Sequence, residues 1–197
     1  MISVRLGPLL REAQIVFGDV LQVSLPFDKQ RYEQIKGTAD CEYYLEMFDE
    51  GFRKAAAFKE IPLETLLNLI EQFRKNGCKN EWLHKKKRFK ELDIEVALNC
   101  YFTTLDFKLV ATINRISTKE KLCSGVVLET DPDEVCFDHM FKDVLVDKEN
   151  IVITDFLDNP RILIDLNRAF NKELVSQILP RDTDVLFQNI TPEVISG

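Results

Sequence analysis

Residues 92–117 decide the fold of this chain. They read L-D-I-E-V-A-L-N-C-Y-F-T-T-L-D-F-K-L-V-A-T-I-N-R-I-S. Apolar residues occupy every second position from Leu92 to Phe102, and the alternation resumes from Phe107 to Ile113. Because side chains alternate across a strand, the pattern predicts an antiparallel hairpin with one buried face and one wetter face. The rest of the chain must cover the buried face.

Helical patterns dominate the chain before this hairpin. Apolar residues recur at intervals of three and four in 28–36, 40–59 and 62–77, and capping residues or glycines mark several of the ends, so each segment is predicted to be a helix. Residues 8–17 fit a helix, which is the preferred interpretation. The alternative is a hairpin in which a two-residue turn at Gly18 and Asp19 joins residues 14–17 to 20–25.

The chain after the hairpin predicts strands followed by one helix. Residues 125–129 form an apolar run, and the apolar residues on either side of 147–150 indicate one or two further strands. Asn159 and Pro160 fit an N-cap and a first helical turn, so a last amphipathic helix is predicted to begin there and to end at Pro180.

The order of these elements predicts an α+β fold, in which N-terminal helices and a C-terminal helix pack on a central antiparallel sheet. We expect a single domain over 1–197. Its helical part covers about 1–90, its sheet part about 91–157, and the C-terminal helix and tail 158–197. A chain of 197 residues is long enough to bury a sizeable core.

The composition is that of an ordinary globular protein, with 45% hydrophobic residues, 30% charged residues and a net charge of −7. The N-terminal residues lack the apolar stretch of a signal peptide, and no apolar window is long enough for a transmembrane helix, so the predicted location is cytoplasmic. The five cysteines are scattered and contain no C-x-x-C pair, which favours reduced thiols over a disulfide framework.

Charge is segregated along the chain. Residues 72–90 contain eight basic residues and one acid, whereas 129–158 contain ten acids and two lysines. The functional interpretation is two oppositely charged surfaces, of which the acidic one docks a basic protein partner. The alternative is that both runs are solvated or neutralise each other in the fold. The predicted partner-binding residues are Asp131, Asp133, Glu134, Asp138, Asp143 and Asp147.

The basic segment 74–90 offers an alternative function, which is nucleic-acid binding. Lysine and arginine side chains release counterions from phosphates when they bind nucleic acid. The aromatic residues Trp82 and Phe89, which flank the basic residues 85–88, could stack on bases. The residues predicted for this alternative are Lys85, Lys86, Lys87 and Arg88. The acidic net charge argues against it, and residues 78–91 also fit a further helix with Trp82, Leu83 and Phe89 facing inward.

The sequence contains no G-x-S-x-G, Walker A or G-x-G-x-x-G motif, so no catalytic function or cofactor is predicted. Cys136 and His139 have a C-x-x-H spacing, but a structural zinc site needs a second such pair. The acids that follow Thr130 lack the spacing of a calcium-binding loop. An enzyme of unrecognised type is the second alternative to a binding protein.

In size, acidity and absence of motifs, the chain resembles the bacterial toxin-immunity proteins, including those of contact-dependent growth inhibition. The resemblance covers no motif. Immunity proteins bind one cognate toxin, often a nuclease, and block its active site. The resemblance therefore implies a non-catalytic inhibitor of a basic toxin, with its contacts in 129–158 and with Asp131, Asp133, Glu134 and Asp138 first among them.

Overall fold

The computed structural model describes residues 2–6, 13–16, 20–137 and 139–180, and at 2–6, 13–16, 135 and 136 it describes the backbone alone. The fold is α+β, as predicted. The chain divides into two compact units, Met1–Lys79 and Asn80–Gly197. The single domain expected over 1–197 stays a prediction.

The first unit combines a three-stranded sheet with three helices. Its central strand, β3, pairs in parallel with β1 and antiparallel with β2. Leu21 and Val23 point from β3 into a small core, where they pack with Ala55 of α2. The elements are β1 (Ile2–Leu6), β2 (Ala13–Val16), β3 (Val20–Leu25), α1 (Lys29–Ile35), α2 (Glu42–Ala56) and α3 (Leu63–Lys75).

The three helices predicted within 28–77 are confirmed, and local capping sets their ends. The carboxylate of Asp28 accepts a hydrogen bond of 3.0 Å from the backbone N–H of Arg31, which fixes the start of α1. After α3, Gly77 adopts a φ of 71° and its N–H donates to the carbonyl of Arg74. A glycine in this left-handed conformation ends a helix without steric strain.

The helix preferred for residues 8–17 is wrong. Ala13–Val16 forms β2 and pairs antiparallel with β3, so the hairpin alternative is correct in pairing these segments. Its register differs, because Val16 lies opposite Val20, whereas a two-residue turn at 18–19 would place it opposite Leu21. The β-branched residues Ile15 and Val16 favour an extended backbone, and pairing with β3 provides partners for its amides and carbonyls. Residues 7–12 and 17–19 lie outside the described part of the chain.

Cys41 and Cys78 form a disulfide in the first unit, with their Cα atoms 6.6 Å apart. The prediction of reduced thiols is therefore wrong for this pair, and the argument for a reducing compartment loses part of its basis. The bond joins the N-terminal end of α2 to the turn after α3, across 37 residues of sequence. Cys100 and Cys123 are buried free thiols, and burial raises the pKa of Cys100 to about 12.

The described part of the second unit contains two four-stranded antiparallel sheets and two short helices. The first sheet has the order β4-β5-β6-β7 and the second the order β11-β10-β9-β8. A 3-10 turn at Lys90–Leu92 links β4 to β5. The elements are β4 (Asn80–Phe89), β5 (Ile94–Phe102), β6 (Phe107–Arg115), β7 (Lys121–Thr130), α4 (Glu134–Phe137), β8 (Asp143–Asp147), β9 (Asn150–Thr154), β10 (Pro160–Asp165), α5 (Leu166–Phe170) and β11 (Ser176–Ile178).

The predicted hairpin of residues 92–117 is confirmed as β5 and β6, and it forms one side of the core. The two strands pair without interruption, with Leu98 opposite Ala111. Strands β9 and β10 cover the apolar face of the hairpin, as the buried cluster shows. The fully buried residues of the four strands include Ile94, Val96, Leu98, Leu109, Ile113, Ile151, Ile153, Ile162 and Ile164.

Two predicted helices in the second unit are wrong. Within 78–91, Asn80–Phe89 forms β4, because antiparallel pairing with β5 provides partners for its backbone N–H and C=O groups. The helix expected from Asn159 to Pro180 is instead β10, α5 and β11. Ile162 and Ile164 of β10 are buried opposite β9, with Ile162 beside Ile153. The alternation of apolar residues that is typical of a strand therefore decides the structure here, and the helical spacing in the same segment does not.

The two sheets meet along their edges. Strand β4 contacts β8, and β7 contacts β11. Leu174 lies over β7, where its Cδ2 occupies the space that a Cβ at Gly125 would need, 2.7 Å away. None of the described helices is long and apolar enough to cross a membrane.

Candidate partner-binding surface

Stacked phenylalanines lie at the end of the first sheet where β6 begins. The ring of Phe107 is parallel to those of Phe137 and Phe141, with centroids 3.7 and 5.5 Å away. Trp82 and Phe102 contact the same ring, at 6.2 and 6.4 Å between centroids. Since Phe137 ends α4, this aromatic cluster attaches α4 to the end of the sheet.

The aromatic cluster positions an acidic loop, by which we mean Asp131, Asp133 and Glu134. The loop follows β7, whose last residue, Thr130, pairs with Phe107. All three acids are exposed. The structure gives Asp131 and Glu134 no ion pair with any residue that it describes. Three exposed acids therefore lie on a segment that is anchored on its apolar side.

Asp143 is not part of this loop, because two lysines of β4 hold its carboxylate. Lys85 Nζ lies 3.2 Å from Oδ1 and Lys87 Nζ lies 3.1 Å from Oδ2. Partial burial raises the pKa of Asp143, but the N–H of Val144 and the two lysines outweigh it and lower the pKa to about 2. Asp143 is thus committed to an internal ion pair.

The remaining predicted partner-binding residues do not join the loop. Asp147 is exposed at the far end of β8, four residues and about 13 Å from Asp143. Asp138 lies outside the described residues. Of the six acids predicted from the sequence, the structure therefore brings together Asp131, Asp133 and Glu134.

The basic run, residues 85–88, is divided between the two faces of β4. Lys85 and Lys87 point towards Asp143, whereas Lys86 and Arg88 lie on the other face. There they hold the carboxylate of Glu95, at 2.9 and 2.6 Å. Hydrogen bonds from Lys86 and Arg88 lower the pKa of Glu95 below its ordinary value. Each pair of cations thus shares one carboxylate, which reduces the charge available to a phosphate backbone.

Glu95 is a residue that sequence reasoning missed. It is 8% exposed, on the polar parity of the hairpin strand β5. Its position among Asp93, Ala97 and Asn99 marked it as polar, but only the register of β4 against β5 places Arg88 directly opposite it.

An open cleft of about 690 Å³ lies in the first unit, against α2 and α3. Arg74 is paired with Glu42 at 2.7 Å and with Glu71, and Arg53 is paired with Asp49 at 2.5 Å. Because both arginines already have carboxylate partners and Lys54 Nζ donates to the carbonyl of Ser24, the cleft does not favour an anionic ligand. The lining residues are Glu46, Asp49, Glu50, Arg53, Lys54, Glu71 and Arg74.

Within the part of the chain that is described, no three His, Cys, Asp or Glu side chains converge in a way that could hold a metal ion. Comparison of the chain with protein-family models, with curated proteins and with solved structures gives no match. The function of this chain is therefore inferred from the geometry of its second unit.

Proposed function

We propose that this protein is a non-catalytic binding protein that captures a basic protein partner through the acidic loop. One observation carries the proposal: Asp131, Asp133 and Glu134 are exposed on a segment that the aromatic cluster anchors. The basic run, by contrast, is partly neutralised, because Asp143 pairs with Lys85 and Lys87 and Glu95 pairs with Lys86 and Arg88. This contrast favours a protein partner over the nucleic-acid alternative.

Carboxylates on an anchored loop suit this function for two physical reasons. Ionised carboxylates accept short, charge-assisted hydrogen bonds from arginine and lysine side chains. A local negative field also accelerates the encounter with a positively charged protein, and salt weakens that effect. Because α4 is attached through Phe137 and Phe107, the loop loses less conformational freedom when it binds.

The partner is a toxin in this proposal, most simply a nuclease-type toxin with a positively charged face. Enzymes that act on nucleic acid need such a face to hold phosphates, so an acidic protein can block it. Cytoplasmic location is part of the same proposal. The resemblance of the chain to immunity proteins in size, acidity and absence of motifs supports it.

The proposal is tested by affinity capture from the native cell lysate at low and moderate salt, followed by mass spectrometry. Three baits are compared: the wild type, the acidic-loop variant D131N/D133N/E134Q, and the matched control E33Q/E60Q/E64Q. The control removes three exposed acids of the first unit. A basic protein should bind the wild type and the control in a one-to-one ratio, and it should be lost from the acidic-loop variant.

Equal capture by all three baits would reject the acidic loop as the binding site. Release of the captured material by nuclease treatment would support the nucleic-acid alternative instead. Inhibition is tested with the captured protein itself: its expression alone should arrest growth, and co-expression of this chain should restore it. Arrest without rescue would reject the inhibitor function and leave binding in place.

A further inference from the structure

The turn between β9 and β10, residues 155–159, holds two large apolar side chains in solvent. Phe156 is 47% exposed and Leu157 is 63% exposed. The carboxylate of Asp155, itself buried, accepts hydrogen bonds from the N–H groups of Leu157 and Asn159, at 2.9 and 3.0 Å. These bonds fix the backbone of the turn, and therefore the direction of both exposed side chains.

Two further contacts attach the turn to its surroundings. Lys142 Nζ lies 2.8 Å from a carboxylate oxygen of Asp158, and the ring of His139 lies 4.7 Å from the ring of Phe156. An ordered turn that exposes apolar side chains is a feature of binding surfaces, because the exposed area becomes favourable when a partner covers it. The fixed backbone also reduces the entropy lost on binding.

The turn and the acidic loop lie in neighbouring segments of the second unit. His139, which contacts Phe156, follows soon after α4, and α4 begins at Glu134. Asp158, on the turn itself, is paired with Lys142. Phe156 therefore contacts a residue five positions after Glu134 of the acidic loop, and apolar residues with charged residues around them are the usual arrangement in protein interfaces.

We infer that Phe156 and Leu157 are the apolar anchors by which this chain docks its partner, and that the partner offers an apolar pocket edged by lysine or arginine side chains. The inference rests on the proposed function and adds the anchor residues and the chemistry of the complementary site. A few large apolar side chains near the centre of an interface commonly provide most of its affinity, while surrounding charges select the partner.

The test measures affinity by calorimetry with the protein that the wild type captures, once it has been identified and purified. The variant F156S/L157S is compared with V126S/L145S, which changes two apolar residues of the same unit that are 44% and 45% exposed. The first variant should bind more than about tenfold more weakly than the wild type, and the control within about twofold. Thermal unfolding of the free F156S/L157S variant should match that of the wild type.

Each other outcome overturns the inference. If F156S/L157S binds as tightly as the wild type while D131N/D133N/E134Q does not bind, Phe156 and Leu157 are not the anchors, and the proposed function stands. If both variants bind as tightly as the wild type, or if the wild type captures no protein, the anchor inference and the proposed function are both rejected. A lower Tm of the free F156S/L157S variant would show that the two side chains pack on another part of this chain. A wild-type dimer that this variant loses in light scattering would show that a second copy occupies the surface.

Discussion

Lys87 Nζ lies 3.1 Å from Asp143 Oδ2, so an ion pair joins the basic run to the acidic residues 129–158 in the second unit. The two residues are 56 positions apart in sequence. On the other face of the same strand, Glu95 pairs with Lys86 and Arg88 and offsets part of their charge. The charge segregation of the sequence is therefore smaller on the folded surface, and its exposed acidic part includes the loop that contains Asp131, Asp133 and Glu134.

Replacing Asp143 with Asn should lower the free energy of unfolding at neutral pH by about 1–2 kcal/mol. The folded state lowers the pKa of Asp143 from 3.8 to about 2, so the ionised carboxylate stabilises the fold. This contribution is complete above about pH 4 and is lost as the pH falls towards about 2. Urea unfolding over that range should show the wild type and the variant converging in acid.

Asp147→Asn is the matched control, because Asp147 is exposed on the same strand. Its effect should stay within about 0.5 kcal/mol at every pH. If Asp143→Asn and Asp147→Asn gave equal effects, the ion pairs with Lys85 and Lys87 would contribute nothing measurable to stability.

Nucleic-acid binding should appear only when the carboxylates beside the basic run are removed. The wild type should bind a fluorescent DNA duplex weakly, and E95Q/D143N should bind it at least about tenfold more tightly at low salt, because four cations lose their partners. Fluorescence anisotropy across a salt series measures this. Tight, salt-sensitive binding by the wild type, lost in K85Q/K86Q/K87Q/R88Q, would instead favour the alternative function.

The sequence predicted the fold best where the apolar residues followed a single period, either that of a strand or that of a helix. Residues 92–102 and 107–113 alternate regularly, and both the strands and the buried face of this hairpin are confirmed. The segment from Pro160 to Ile178 contains two periods, since Leu163, Leu166 and Phe170 have helical spacing while Ile162 and Ile164 alternate. Its pairing with β9 is a long-range contact, which local spacing cannot reveal.

The candidate site was predictable only in part, for the same reason. The acids at 131–134 were identified from the density of acidic residues in 129–158. The ion pairs of Asp143 depend on β4 lying beside β8, which no local pattern encodes. The exposure of Phe156 and Leu157 was equally hidden, because a sequence shows that a residue is apolar but not that the fold leaves it uncovered.

The disulfide between Cys41 and Cys78 should contribute at most about 4 kcal/mol to the stability of the first unit, since it closes a loop across 37 residues. C41S/C78S and the reduced wild type should therefore unfold at lower urea concentration than the oxidised wild type. Reductant should leave the double variant unchanged. Alkylation of the denatured, unreduced wild type at Cys41 or Cys78 would show that the bond does not form.

Replacing Phe107 with Ala should lower the free energy of unfolding by about 3–5 kcal/mol, because the buried ring packs against Phe137 and Phe141. The same change should release α4, so amides within 131–137 should exchange hydrogen faster, whereas those of β9 should change only through the global loss of stability. Urea unfolding and hydrogen exchange measure the two effects. Val126→Ala, at an exposed site on β7, is the control and should change neither. If the exchange of 131–137 stayed at the wild-type rate after correction for global stability, the aromatic cluster would not be what anchors the acidic loop.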